Sequence, residues 1–167
     1  MNQPITSLVQ TLSELLEKSS IKISLAESCT GGLLAAHLTA QAGSSLWFDR
    51  GFVTYSNASK TESIGVSSSI IEQYGAVSEE VAKAMAQGAL NHSAAKTSIA
   101  ITGIAGPGGA TEYKPVGMVC FAWAVQFPGS PALLIASTQI FDGDRQAIRE
   151  HACAYALDKL ILLLSQK

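Results

Sequence analysis

The sequence predicts an α/β fold, a three-layer α/β/α sandwich with a mixed central sheet, and three observations carry the prediction. Apolar, β-prone segments alternate with amphipathic helical stretches through the first part of the chain. Two long strand-like segments, 116–126 and 133–141, then follow one another across Phe127-Pro128-Gly129-Ser130-Pro131, which suits an antiparallel hairpin. No linker and no internal repeat interrupts the order, so residues 1–167 are expected to form a single domain.

Each element has its own local reason. Ile5, Leu8, Val9, Leu12, Leu15 and Leu16 recur at helical spacing, so residues 4–18 read as an amphipathic helix. Residues 21–26 read as a short strand. Residues 30–39, rich in Leu and Ala, read as a helix that Gly43-Ser44-Ser45 breaks. Residues 47–56 hold Phe48, Phe52, Val53, Thr54 and Tyr55, which suit a pleated sheet. Short helical pieces follow at 59–64 and 67–74. Ser78 reads as an N-cap, with Glu79 and Glu80 favouring the positive end of a helix that runs to about Asn91. Residues 97–102 form a buried strand, stopped by the glycine-rich loop 103–109. Asp142-Gly143-Asp144 opens the last helix, whose apolar side carries Ile148, Ala152, Tyr155, Leu160, Ile161 and Leu164.

Composition narrows the function classes. The net charge of −2 and the lack of any Lys/Arg run leave nucleic-acid binding without an electrostatic footprint. The longest apolar-rich run, 116–125, is too short to cross a bilayer, so no membrane association is expected. The opening Met1-Asn2-Gln3-Pro4 lacks the basic start of a signal peptide. Cys29, Cys120 and Cys153 are far apart, with no Cys-x-x-Cys; this disfavours disulfides and structural zinc and fits a reducing cytoplasm. Hydrophobic residues make up 47% and charged residues 14%, a balance that suits a homo-oligomer with a covered face and also a compact monomer with a bland surface.

The chemistry centres on Leu25-Ala26-Glu27-Ser28-Cys29-Thr30-Gly31-Gly32, where a strand gives way to a helix. A serine hydroxyl is a poor nucleophile until a base takes its proton. Free N–H groups at such a turn can hold an oxyanion, and Gly31 and Gly32 let a substrate approach the backbone. An ordinary N-cap at Ser28 or Thr30 explains the same residues locally. Cys29 is the rival nucleophile, with a buried structural thiol as its plainer reading. His37, His92 and His151 all fall in helical segments away from glycine-rich loops, which leaves Lys60 as the better base. Free lysine is protonated at neutral pH, and burial lowers its pKa into a usable range. Tyr55 offers a hydroxyl to bridge serine and lysine or to hold the lysine, while Tyr55-Ser56-Asn57 also reads as a strand end followed by a helix cap. Thr102, at a strand end, offers a second hydroxyl. The 103–109 loop is a candidate phosphate cradle, without a Walker A motif, and a plain turn accounts for it equally. Arg145 suits a phosphate or carboxylate; a surface helix arginine is the alternative.

Five stretches together resemble one family: Ala26–Gly32, Gly51–Asn57, Gly75–Ser78, Thr102–Gly109 and Lys114–Gly117 are similar to the C-terminal domain of the competence/damage-inducible protein CinA. Stand-alone members of that family are nicotinamide mononucleotide amidohydrolases. The resemblance implies a serine amidase that needs neither metal nor cofactor and converts nicotinamide mononucleotide to nicotinate mononucleotide and ammonia. It implies Ser28 as nucleophile, Lys60 as base, and Tyr55 and Thr102 as assisting hydroxyls. Thr30, Gly31, Gly32, Asn57, Gly103, Ala105, Gly106 and Arg145 form the candidate substrate-binding set. Larger relatives carry an N-terminal domain with a metal-dependent activity, which is expected to be absent here. Two other readings stay open: a non-catalytic nucleotide-binding or regulatory module, and an amidase for another small carboxamide.

Overall fold

The computed structural model of the protein describes residues 3–166. Met1 and Asn2, on which part of the signal-peptide argument rests, lie outside the described residues, as does Lys167. The elements run α1 (Ile5–Ser19), β1 (Ile23–Glu27), α2 (Leu33–Thr39), a 3₁₀ turn (Ser44–Leu46), β2 (Phe48–Val53), α3 (Asn57–Ile64), α4 (Ser68–Tyr74), α5 (Glu79–Asn91), β3 (Thr97–Gly103), β4 (Met118–Val125), β5 (Leu133–Ile140) and α6 (Arg145–Ser165). Ser56, Ser78 and Asp144 accept the N–H groups of Ser59, Val81 and Ala147, and so cap α3, α5 and α6.

The five strands lie in the order β2-β1-β3-β4-β5. β1 pairs in parallel with both β2 and β3, whereas β4 runs antiparallel to β3 and to β5. The sheet is therefore mixed, as the hairpin signal predicts. Side-chain size sorts the layers. On one face of the inner strands lie Ile23, Leu25, Ile99, Ile101, Val119, Phe121, Trp123 and Val125, packed with buried residues of α1, α2 and α6. The opposite face carries Ala26, Ala100, Cys120, Ala122 and Ala124, and these meet Val81, Ala82, Met85, Ala86 and Ala89 of α5. Small side chains let α5 sit close to the sheet. Ser24 and Ser98 on that face donate their hydroxyls to the Ala89 and Ala86 carbonyls at 3.2 and 2.7 Å. The three buried strands read as near-continuous apolar runs because both of their faces are covered.

Several boundaries differ from expectation, among them the starts of β1, α3 and β4, and two of the shifts bear on the site. α2 starts at Leu33 rather than residue 30, because Gly31 and Gly32 take φ values of +58° and +101°, a left-handed turn that no helix can include. β2 stops at Val53: Thr54 N–H still reaches the β1 carbonyl of Glu27, and the chain then enters the turn before α3. That turn lies beside the end of β1, at the point where the chain leaves β1 for β2 on one side and later returns as β3 on the other. Such a switch point, at the carboxyl ends of parallel strands, is where open α/β sheets bind ligands.

The packing of α3 on α5 depends on Gly88. A Cβ built there would stand 2.2 Å from the Ile64 carbonyl oxygen, a backbone atom that cannot yield. Gly88→Ala is expected to destabilise the fold by about 2 kcal/mol, lowering the melting temperature by about 6 °C, as calorimetry would show. An unchanged melting temperature would contradict this packing.

Candidate active site

Ser28 is the first residue beyond β1, and both neighbouring strands grip it. Its N–H donates to the Ile101 carbonyl at 2.9 Å, and the Glu27 carbonyl just before it accepts from Thr54 N–H at 2.8 Å. The hydroxyl points towards the turn between β2 and α3. Lys60 stands in the first turns of α3. Because Cα–Cβ bonds on a helix tilt towards its N-terminus, its side chain runs back over that turn. Nζ lies 3.1 Å from Ser28 Oγ, 2.8 Å from the Thr54 carbonyl and 3.3 Å from the Tyr55 carbonyl.

Lys60 is 1% exposed. No carboxylate pairs with it among the described residues. Burial therefore pushes its pKa down from 10.5. The three contacts suit both of its forms. As an ammonium it donates to all three oxygens. As a neutral amine it donates its two hydrogens to the carbonyls and turns its lone pair on the serine hydroxyl. That second arrangement is what a general base needs, at a distance within hydrogen-bond reach.

Cys29 lies in the core on the large-residue face, 6% exposed. Its thiol is pushed up to about 11, chiefly by burial, so it is a thiol rather than a thiolate at neutral pH. The adjacent Ser28 hydroxyl, with the Lys60 amine in contact, is the better-placed candidate.

The other site candidates are distributed more widely than the sequence predicts. Tyr55 meets Ser28 and Lys60 through its main-chain carbonyl, not its hydroxyl. The exposed hydroxyl instead accepts from Arg145 Nη2 at 3.2 Å, while Arg145 Nη1 donates to the Gly106 carbonyl at 2.7 Å. Arg145 thus ties the Tyr55 turn to the glycine-rich loop. The Thr102 hydroxyl donates to the Ala76 carbonyl at 2.8 Å, anchoring the segment before α5 and not the Ser28–Lys60 pair. Gly103 has no room for a side chain because Val119 and the Met118 carbonyl lie against it, and Ala105 is buried in the core. Both occupy packing positions. Asn57 is exposed at the start of α3.

The turn after Ser28 also differs from a free helix N-terminus. The Glu27 carboxylate, 1% exposed, accepts the N–H groups of Gly32, Leu34 and Ala35 at 3.1, 3.1 and 2.8 Å. Gly31 N–H donates to the Ser28 carbonyl at 3.0 Å. Neither glycine is then a spare oxyanion donor; their positive φ values explain their presence. Thr30 N–H has no acceptor among the described residues, and the Thr30 and Thr54 hydroxyls are buried without a protein partner. Two residues that carried no role in the sequence, Glu27 and Arg149, define this turn. A carboxylate just before a helix and an arginine four residues after Arg145 were the available signals.

Lys60 also leaves a signature in stability. Its pKa is lower folded than unfolded, so between that lowered value and 10.5 the unfolded chain binds more protons, and stability rises with pH. The stability of the protein relative to its Lys60→Met variant is therefore expected to increase as pH rises through that window, read by denaturant melts. A difference independent of pH would contradict a buried, uncompensated amine.

Residues 5–164 match the family described as CinA C-terminal domain. The chain is 44% identical over 160 residues to "Nicotinamide-nucleotide amidohydrolase PncC" of Pseudomonas putida, covering 96% of this chain and 97% of that protein. It is 46% identical over 156 residues to the protein of the same name from Escherichia coli K12, covering 93% and 92%. A "CinA-like protein" of Mycolicibacterium paratuberculosis is 52% identical over 144 residues, which make up only 33% of that longer chain. Among solved structures, a competence or damage-inducible protein from Enterobacter asburiae superposes with a TM-score of 0.91 at 34% identity, covering 98% of this chain and 99% of that one. The chain belongs to the CinA C-terminal domain family.

Proposed function

We propose that the protein is a nicotinamide-nucleotide amidohydrolase, using Ser28 as nucleophile and Lys60 as base to convert nicotinamide mononucleotide to nicotinate mononucleotide and ammonia. The observation that carries the mechanism is the 3.1 Å contact of a buried, unpaired lysine amine with a serine hydroxyl at the switch point of the sheet. The names of relatives that match nearly end to end support the choice of amide.

Neutral Lys60 takes the Ser28 proton as Oγ bonds to the carboxamide carbon and the carbonyl electron pair moves onto oxygen. A backbone N–H at the turn stabilises that oxyanion, worth about 3 kcal/mol for one good donor. The intermediate collapses, the C–N bond breaks, and the Lys60 ammonium supplies the proton with which ammonia departs. Water then attacks the Ser28 ester, giving its proton to Lys60, and the acid leaves as Ser28 is reprotonated. Arg145, with Tyr55 and Asn57 at the rim, faces the ribose phosphate, and the exposed part of the glycine-rich loop closes that end. Thr102 keeps the segment before α5 in place. Residues 1–167 act as one domain.

We assign the protein to the cytoplasm and to a homo-oligomer. The three cysteines are free and buried, and no helix among the described residues is long and apolar enough to cross a membrane. Leu46, Val53, Leu133, Ile140 and Leu162 are exposed apolar residues that suit contact between copies.

Ammonia release from nicotinamide mononucleotide, nicotinamide and the dinucleotide, assayed side by side with a chelator present, tests the reading. Turnover of the mononucleotide is expected, and failure to turn it over would contradict the assignment. Ser28→Ala and Lys60→Ala are each expected to lower kcat by about 1,000-fold or more while the protein stays folded. Wild-type turnover in Ser28→Ala would remove Ser28 as nucleophile.

A further inference from the structure

α6 sends two arginines into the site, Arg145 and Arg149, one turn apart. Arg149 reaches the turn after Ser28. Its Nε donates to the Cys29 carbonyl at 3.2 Å and its Nη2 to the Thr30 carbonyl at 2.8 Å, while Nη1 donates to Gln146 Oε1 at 3.0 Å. No carboxylate pairs with this guanidinium among the described residues. A planar fork is thus set against two successive peptide carbonyls.

In a trans peptide the C=O and N–H point in opposite directions. Fixing the Cys29 carbonyl against α6 therefore fixes Thr30 N–H, which belongs to the same peptide plane, on the side away from α6. The neighbouring donors are already used: Gly31 N–H by the Ser28 carbonyl, and those of Gly32, Leu34 and Ala35 by Glu27. Thr30 is fully buried, and a buried N–H without an acceptor is rare in a native protein. Left unheld, a turn with two successive glycines at positive φ has many other conformations open to it.

We propose that Arg149 is a positioning residue, which holds the Cys29 and Thr30 carbonyls so that Thr30 N–H is preset to receive the oxyanion formed when Ser28 attacks. The inference rests on Ser28 being the nucleophile. A preset donor acts on the transition state more than on bound substrate, so its loss lowers kcat and leaves KM nearly unchanged.

Steady-state kinetics with nicotinamide mononucleotide test this on Arg149→Ala and Arg149→Lys, with Ser28→Ala alongside. Arg149→Ala is expected to lose about 100-fold in kcat, with KM changed by about twofold or less. Millimolar guanidinium is expected to restore part of that kcat, whereas methylammonium, which cannot span two carbonyls, is not. Arg149→Lys, which reaches one carbonyl, is expected to fall between; it also serves if the alanine variant does not fold. Wild-type kcat in the Arg149 variants would overturn the proposal, as would a rise in KM alone. A kcat loss that guanidinium does not restore would make Arg149 merely structural and overturn it too. If Ser28→Ala retains turnover, the nucleophile assignment fails first; if Ser28→Ala is inactive and the Arg149 variants are not, only the role of Arg149 fails.

Discussion

Everything about this site depends on an amine buried without a counter-charge. An ammonium taken out of water and left without a carboxylate is costly, and the protein answers by favouring the neutral amine. In that form the amine can give its two hydrogens to the Thr54 and Tyr55 carbonyls and turn its lone pair on Ser28 Oγ. A carboxylate beside Lys60 would instead stabilise the ammonium. The local fold serves this arrangement: the turn from β2 to α3 is short, Ser56 caps the helix at once, and Lys60 comes back over the strand ends.

Charge is present around the site, and it is used on the backbone. Glu27 spends its carboxylate on three N–H groups of the turn into α2. Arg145 and Arg149 spend their guanidinium groups mostly on carbonyls, one on the glycine-rich loop and one on the turn after Ser28. Charged groups that bind main-chain atoms make stiff loops, because charge-assisted hydrogen bonds are stronger than neutral ones. A rigid turn matters where an oxyanion is to be stabilised, since a donor already in place needs no reorganisation during the reaction.

Most of the sheet and its helices were legible in the sequence, because strands buried on both faces read as apolar runs and helix caps use recognisable residues. Ser78 and Asp144 are the caps that their sequences suggest. The pairing of Ser28 with Lys60 was legible by elimination of the histidines and by resemblance, not by spacing, since the two are 32 residues apart. The direction of the Tyr55 hydroxyl was not legible, because a residue at a strand end can present either its side chain or its carbonyl to a neighbour. Arg149 was hidden for a different reason. It lies 120 residues from Cys29, and only the docking of α6 against the β1 end brings them together.

The most direct test of the account is the titration of the Lys60 amine, followed by NMR in protein labelled at lysine, beside the pH dependence of kcat/KM. The account predicts that Lys60 titrates below 10.5 and that the acid limb of kcat/KM falls at the same pH, since both report loss of the neutral amine. A Lys60 amine that titrates at or above 10.5, or an acid limb that ignores its titration, would contradict it.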